Sequence, residues 1–276
     1  AEVVITSTKN PAIVEVAKLV QRKYRERQRR FLVEGLKIIG MALEGGAKPL
    51  EAFYCSEHFQ GSDAPKLLDR LGNSGARLVD VSPQVMQRLA DRDSPQGLLA
   101  TFELLDTSLE VLRQRPHATT RLVLVLDRLQ DPGNLGTLIR TADATGAHAV
   151  ALIEPCVDPF DPKTVSATMG SIFNLPIART GNVNALFEIL SPDLTIVGAD
   201  AHEGEIAWDS DALAGPTALI LGNETRSLST DVRSHVERWV RLPLLGQAES
   251  LNVAVAGGVL AYCWLQKQDE RASSHL

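Results

Sequence analysis

Three short runs in the second half of the chain carry side chains able to do acid–base or charge-stabilising chemistry: Asn134-Leu-Gly136-Thr-Leu-Ile-Arg140, Gly222-Asn223-Glu224 and Gly246-Gln-Ala-Glu-Ser250-Leu251-Asn252. Arginine supplies a fixed charge and a fork of donors, glutamate a proton acceptor, and serine and asparagine supply hydroxyl and amide groups that orient what the others act on. No histidine falls within these runs. Nor does the chain contain Gly-x-Gly-x-x-Gly after a strand, the phosphate-binding Gly-x-x-x-x-Gly-Lys-Ser/Thr, His-Glu-x-x-His or Gly-x-Ser-x-Gly. A nicotinamide dehydrogenase, a conventional Rossmann-type methyltransferase, a zinc enzyme and a serine hydrolase therefore all lack their warrant.

Each run follows a strand. Residues 121–126, Arg-Leu-Val-Leu-Val-Leu, form a continuous apolar stretch of the kind buried on both faces of a parallel sheet. A Pro-Gly turn then opens a helix whose Leu135, Leu138, Ile139 and Ala142 make the core stripe. Arg140 lies off that stripe, and Asn134 sits at or near the N-cap. Strand 217–222 runs into the second motif, whose acid is held at a strand's carboxyl end, where open α/β sheets place ligands. Strand 239–242 leads through a glycine loop into an almost wholly apolar helix over 251–265, capped by Ser250 and read as buried. Asn252 is the anomaly there: a polar amide on a buried helix is either a structural bridge or a site residue. Further strands at 148–153 and 194–198 complete an α/β pattern with a mainly parallel sheet. Taken singly, each motif also has an ordinary reading: a capped helix with a solvated arginine, a strand–Gly–Asn turn, a buried polar bridge.

The first half reads as a small α/β domain. Asn10-Pro11 opens a helix, and helices at 34–43, 64–71 and 83–90 alternate with strands at 31–33, 50–55, 77–81 and 97–102. Between 18 and 30 lie Lys18, Arg22, Lys23, Arg25, Arg27, Arg29 and Arg30 against one acid, Glu26. Such a cluster is either a solvated charged helix or a set of phosphate contacts, with Arg22, Lys23, Arg25, Arg27, Arg29 and Arg30 as the RNA-binding candidates. The expected division is a domain over 1–103, a linker over 104–118, a second domain over 119–268 and a flexible tail over 269–276. The 276 residues, 44% hydrophobic and 22% charged with a net charge of −6, describe a folded chain with a sizeable core. Cys55, Cys156 and Cys263 are odd in number and widely spaced, so neither a disulfide framework nor a metal cluster is expected. The chain lacks the pattern of a signal peptide or membrane span, and a reducing cytoplasm is the expected compartment.

Taken together and in this order, N-x-G-x-x-x-R, L-G-N-E and S-L-N-V resemble the SpoU (TrmH-like) family of the knotted SPOUT methyltransferases across residues 121–266. Phe31-Leu-Val-Glu-Gly35 and its surroundings resemble the substrate-binding domain that precedes the catalytic part in many members. The resemblance implies a parallel-sheet domain with a deep trefoil knot behind a ribosomal-protein-like α/β RNA-binding domain, a homodimer, and methyl transfer from S-adenosylmethionine to a ribose 2'-hydroxyl. By position it implies that Ala199, Gly222, Asn223, Leu242, Gly246 and Leu251 contact the cofactor. Asn134, Arg140, Glu224, Ser250 and Asn252 would form the reactive site, with no metal. Arg140 would act as proton acceptor or as alkoxide stabiliser, both of which need its side chain. Ribosomal RNA is expected ahead of transfer RNA, because the first domain resembles ribosomal-protein-like binders. The reading from another class, a non-catalytic RNA-binding assembly protein, must explain why Arg140, Glu224, Ser250 and Asn252 all persist. One departure is Thr225-Arg226-Ser227-Leu228, where many relatives continue with glycines.

Overall fold

Strands of two to six residues, alternating with helices, build two separate sheets. The computed structural model describes residues 4–90, 96–114, 121–223 and 227–273. The chain divides into one unit of residues 1–105 with 158–174 and another of residues 106–157 with 175–276.

In the first unit the strands are Arg30–Glu34 (β1), Pro49–Tyr54 (β2), Arg77–Asp80 (β3) and Leu98–Glu103 (β4), ordered β1-β4-β2-β3. β4 runs antiparallel to both neighbours, and β2 pairs parallel with β3. The helices are Pro11–Ala17 (α1), Arg22–Gln28 (α2), Leu36–Glu44 (α3), Asp63–Asn73 (α4) and Pro83–Leu89 (α5). α1 and α5 both start with proline behind a capping side chain, Asn10 and Ser82, so their first orphan amides are satisfied locally. Ile13, Val16, Leu19, Phe53, Val79, Met86 and Leu99 form one core.

The second unit holds seven strands: Leu122–Asp127 (β5), Ala149–Ile153 (β6), Ile177–Thr180 (β7), Thr195–Ala199 (β8), Glu205–Ile206 (β9), Thr217–Leu221 (β10) and Arg238–Arg241 (β11). Their order is β7-β6-β5-β10-β8-β11-β9, and every pairing is parallel. Every residue of β5, β6 and β10 is buried, as a strand covered on both faces must be. β7 and β9 escape the sequence reading because they are short and carry few apolar residues. The helices here are Pro132–Ala144 (α6), Val183–Leu190 (α8), Thr230–Arg233 (α9) and Val253–Ser273 (α10). A short 3-10 turn, Leu109–Arg113, buries Val111 and Leu112 in the same core as Val125, Ile153, Phe187 and Ile220.

Two expectations for the last helix are corrected. α10 starts at Val253 rather than at Ser250, because Asn252 does the capping: its Oδ1 accepts from the backbone N–H of Ala254 at 2.9 Å and of Val255 at 3.3 Å. Nor is the helix buried all round. Leu260, Ala261 and Trp264 face the core, whereas Val255, Val259 and Tyr262 are 54, 40 and 53% exposed. Among the described residues no helix is long and apolar enough to cross a membrane.

Between β6 and β7 the chain leaves the second unit, and residues 158–174, including the helix Pro162–Ala167 (α7), complete the first. Phe160 and Phe173 join Phe31 and Phe102 in an aromatic cluster with ring centroids 4.9–6.4 Å apart. Asp158 supplies the counter-charge to Arg25: Nε and Nη2 of the arginine donate to Asp158 Oδ2 at 3.0 and 2.7 Å, and Nη1 donates to the Leu19 carbonyl at 2.8 Å. Arg25 is 2% exposed. A buried guanidinium is tolerated only where its donors are met in this way.

Candidate functional site

In the sheet order β10, β8 and β11 are adjacent, so the loops leaving their carboxyl ends converge. They enclose a cavity of about 490 Å³ lined by Ala199 to His202 after β8, Gly222, Asn223 and Ser227 after β10, and Leu242, Leu244 and residues 249–253 after β11. Leu221, Leu260 and Ala256 close its apolar side. A cleft of this size at strand carboxyl ends, with an apolar side and a polar side, suits a small organic ligand with one flat apolar part and one polar part.

The first and third sequence motifs meet at the cavity's edge. Asp131 caps α6, accepting from the Asn134 backbone N–H at 2.7 Å, so Asn134 stands near the cap, in the first turn of the helix. There its Oδ1 accepts from Asn252 Nδ2 at 3.0 Å. Asn252 thus bridges two helix starts, and it also lines the cavity. Gly257 gives this packing its room: a Cβ there would lie 2.4 Å from Leu138 Cδ2 and 2.7 Å from Leu221 Cδ1, so a larger residue would have to displace those two side-chain ends where α10 packs on α6 and β10. Beside the asparagine pair, along the exposed side of α10, runs an open apolar groove lined by Thr137, Val255, Val259 and Tyr262.

Of the expected cofactor residues, Ala199, Gly222, Asn223, Leu242 and Leu251 line the cavity. Gly246 does not: it stands exposed in the loop after β11, with open space where a Cβ would point. Ser250 and Asn252 line the cavity, and Asn134 reaches it through Asn252. Arg140 is exposed on α6, six residues or about 9 Å of helix beyond Asn134, and is not among the cavity residues. Glu224, with Thr225 and Arg226, lies outside the described residues.

Behind the cavity a polar network missed in the sequence holds the end of β5. Asp127, 2% exposed, accepts on Oδ2 from the backbone N–H and the hydroxyl of Ser229, each at 2.7 Å. Arg128 adopts a left-handed backbone (φ 56°), donates to Asp127 Oδ1 at 2.7 Å and to Asp231 Oδ2 at 2.9 Å, and contacts the Ser229 hydroxyl. Its carbonyl accepts from Asn223 Nδ2 at 2.8 Å, which ties the second motif to this support. Hydrogen bonding from Arg128 holds the Asp231 carboxyl at a pKa of about 2. A buried acid as the last residue of a strand, directly before the loop into α6, was the available signal.

In the first unit the cationic cluster divides. Arg25 is corrected from RNA contact to buried ion pair, and Arg30 is half-buried against Glu51 and Gln28, with Arg77 on the other oxygen of Glu51. Lys23, Arg27 and Arg29 are exposed, whereas Arg22 is half-buried and bonds Glu26 along its own helix. Lys18 and Lys23 lie 5.5 and 4.8 Å from the Tyr24 ring.

Comparison with known proteins matches residues 121–262 to the SpoU rRNA Methylase family and residues 10–100 to the MRM3-like substrate binding domain. An "Uncharacterized tRNA/rRNA methyltransferase" of Synechocystis is 35% identical over 94% of this chain and 92% of its own length. The 23S rRNA (guanosine(2553)-2'-O)-methyltransferase of Bacillus subtilis is 31% identical over 94% of this chain and 97% of its own. The crystal structure of the AdoMet-bound rRNA methyltransferase from Sinorhizobium meliloti superposes with a TM-score of 0.86 at 31% identity, covering 96% of this chain and 97% of that one.

Proposed function

The chain belongs to the SpoU rRNA methylase family, and we propose that it transfers a methyl group from S-adenosylmethionine to a ribose 2'-hydroxyl in ribosomal RNA. The observation that carries this reading is the asparagine pair, which draws the first and third motifs to one edge of the cavity at the ends of β8, β10 and β11.

The residues present suit S-adenosylmethionine. Leu221, Leu242 and Leu260 offer an apolar wall for a purine, while Asp200, His202, Asn223 and Ser227 offer a polar one for hydroxyl and amino-acid groups. Bound there, the cofactor supplies a methyl group already activated by a sulfonium. What remains for the protein is to orient the ribose and to deal with the proton of a weakly acidic hydroxyl. Asn134 and Asn252, each fixed by the other, present the surface on which a ribose can be oriented, and Ser250 adds a hydroxyl. Arg140 takes the charge, either accepting the proton while a substrate phosphate is near or staying protonated and stabilising the developing alkoxide. Because Arg140 rides the exposed side of α6, it meets the cofactor only through what binds that surface. Glu224 is assigned to position these groups by its place in the motif.

The rest of the reading concerns assembly. The stretch 1–103 supplies RNA affinity and 119–268 cofactor binding, with the knot formed by the loops that converge on the cavity. The groove beside α10, with exposed Val255, Val259 and Tyr262, is the face through which two copies associate. Three free cysteines fit residence in a reducing cytoplasm. Mapping ribose 2'-O-methylation in ribosomal and transfer RNA with and without the gene tests the assignment: one ribosomal position should lose its methyl. Loss confined to transfer RNA would overturn the substrate. Sedimentation at micromolar concentration should show a dimer, and an active monomer would overturn that face.

A further inference from the structure

The loop after β8 and the segment leading into α9 are cross-braced by side chains that belong to no motif. Asp200 follows the last residue of β8, and its Oδ1 accepts hydrogen bonds from the backbone N–H of His202 at 2.9 Å and of Glu203 at 3.2 Å. Its Oδ2 accepts from the Ser227 hydroxyl at 2.5 Å. From α9, Arg233 Nη2 reaches Glu203 Oε2 at 2.5 Å, and Nη1 lies 4.0 Å from Asp200 Oδ2. The same guanidinium lies over the Trp239 ring, 4.4 Å from its centroid. Gly204 closes the loop against the Trp239 backbone. Its φ is 94°, a Cβ there would stand 2.3 Å from the Trp239 carbonyl carbon, and its own carbonyl accepts from Arg241 Nε at 3.1 Å. Burial pushes the Asp200 carboxyl up, but Ser227, the two backbone donors and Arg233 outweigh it and hold the group below its ordinary value.

Asp200, His202 and Ser227 line the cavity, whereas Glu203 and Arg233 stand behind them. We propose that Asp200, Ser227 and Arg233 form a positioning set that fixes loop 200–204 in its cofactor-binding shape at the cavity mouth. The inference rests on the cofactor reading above and adds residues that the motifs do not contain. An exposed five-residue loop that had to be ordered on binding would charge that ordering against cofactor affinity, and a loop already braced does not. Asp200 is the centre of the set because its two carboxylate oxygens take the two backbone donors of its own loop on one and the Ser227 hydroxyl on the other.

Titration calorimetry of the full chain with S-adenosylmethionine and with S-adenosylhomocysteine tests this, alongside thermal denaturation without ligand and RNA binding. Wild-type protein that binds neither nucleoside would end the cofactor reading itself, and this inference with it. Given wild-type binding, Ser227→Ala and Arg233→Ala should each weaken both ligands about tenfold, the scale of one charge-assisted hydrogen bond lost. Arg233→Lys should recover part of the loss, because it keeps the charge facing Glu203 and Asp200. Pairing Asp200→Asn with Ser227→Ala should cost little more than the worse single change, since both break one contact. The KM for cofactor should rise more than kcat falls, with RNA affinity unmoved. Variants that lower the thermal midpoint yet bind both ligands as wild type does would overturn the proposal, because a merely structural brace behaves so.

Discussion

Helix α2 in the first unit and the α6–α10 corner in the second each carry an arginine that the sequence singles out, and the fold treats the two oppositely. Arg25 sits in the densest run of positive charge in the chain, yet it is buried on Asp158 and the Leu19 carbonyl. Arg140 is alone on its helix and exposed, with no hydrogen-bond or ion-pair partner among the described residues. The difference lies in what kind of sequence signal marks each. A run of cations counts charges without saying which side of a seven-residue helix each takes, and a helix that packs at all must turn some of them inward. A motif with fixed spacing identifies a position, and Arg140 lies off the apolar stripe of α6 as its spacing requires.

The largest expected effect breaks the buried side of that contrast. Asp158→Ala leaves Arg25 charged and without its counter-ion, and should destabilise the first unit by about 3–5 kcal/mol. Urea denaturation of the full chain measures it. Removing both charges, Arg25→Met with Asp158→Leu, should recover most of the loss, as apolar replacements of buried pairs commonly do. If Asp158→Ala alone cost under about 1 kcal/mol, the value of an exposed pair, Arg25 would be no more committed than its neighbours. The same logic predicts that residues 1–105 expressed alone will not fold as the full chain does, since Phe160, Phe173 and Asp158 all arrive from later in the sequence.

Arg140→Ala tests the exposed side. Stability and cofactor binding should stay near wild type, while methyl transfer under single-turnover conditions with saturating RNA falls on the order of a hundredfold or more, the scale of one acid–base or charge-stabilising group. Arg140→Lys retains charge but not the planar fork, so it separates charge stabilisation from bidentate contact. Near-wild-type transfer in Arg140→Ala would remove the reason for distinguishing this arginine from any solvated one.

How much of this could be read in advance follows the same division. β5, β6 and β10 were legible because each is a continuous apolar run with turn residues on both sides. β7 was not, because Ile177-Ala-Arg-Thr has two apolar residues and takes its place from its neighbour β6. The motifs led to Gly222, Leu242, Ser250 and Asn252 at the cavity, but not to the Asn134–Asn252 bond, which joins residues 118 positions apart and depends on how α6 and α10 pack. Capping was misassigned to Ser250 because serine and asparagine are equally good caps and only backbone geometry decides between them. The Asp200–Ser227 bond was not legible, because 27 positions separate its partners and Ser227 stood out only as a departure after the second motif. The return of 158–174 to the first unit leaves no local trace at all.

A smaller effect sharpens the contrast within α2 and the turn after it. Lys23, Arg27 and Arg29 are the exposed cations there, so changing any one to glutamine should weaken RNA binding a few-fold and flatten the dependence of log affinity on log salt by about one. Arg30→Gln should leave that slope alone, because its guanidinium is turned to Glu51. Equal slope changes for Arg30 and Arg27 would mean that burial does not sort these cations as described.

Arg128 stands between the two extremes, and it gives the smallest effect. It is half-buried, bonded on one side to buried Asp127 and on the other to Asp231, whose side chain is half exposed. Hydrogen bonding from Arg128, with help from Ser229, lowers the Asp231 pKa from 3.8 to about 2. A carboxyl whose folded pKa lies below its unfolded one adds stability that is fully present above the unfolded value and is lost as pH falls through the folded one. The contribution of Asp231 should therefore be complete above about pH 4 and gone near pH 2. Asp231→Asn should remove that part of the acid dependence while leaving stability at neutral pH only slightly lower, because a pair this exposed is screened by water and salt. Stability measured against pH in both proteins decides it. If the curves were parallel between pH 4 and 2, Asp231 would not be held by Arg128, and the left-handed turn at Arg128 would rest on buried Asp127, Ser229 and the Asn223 amide, bringing this arginine closer to the Arg25 kind.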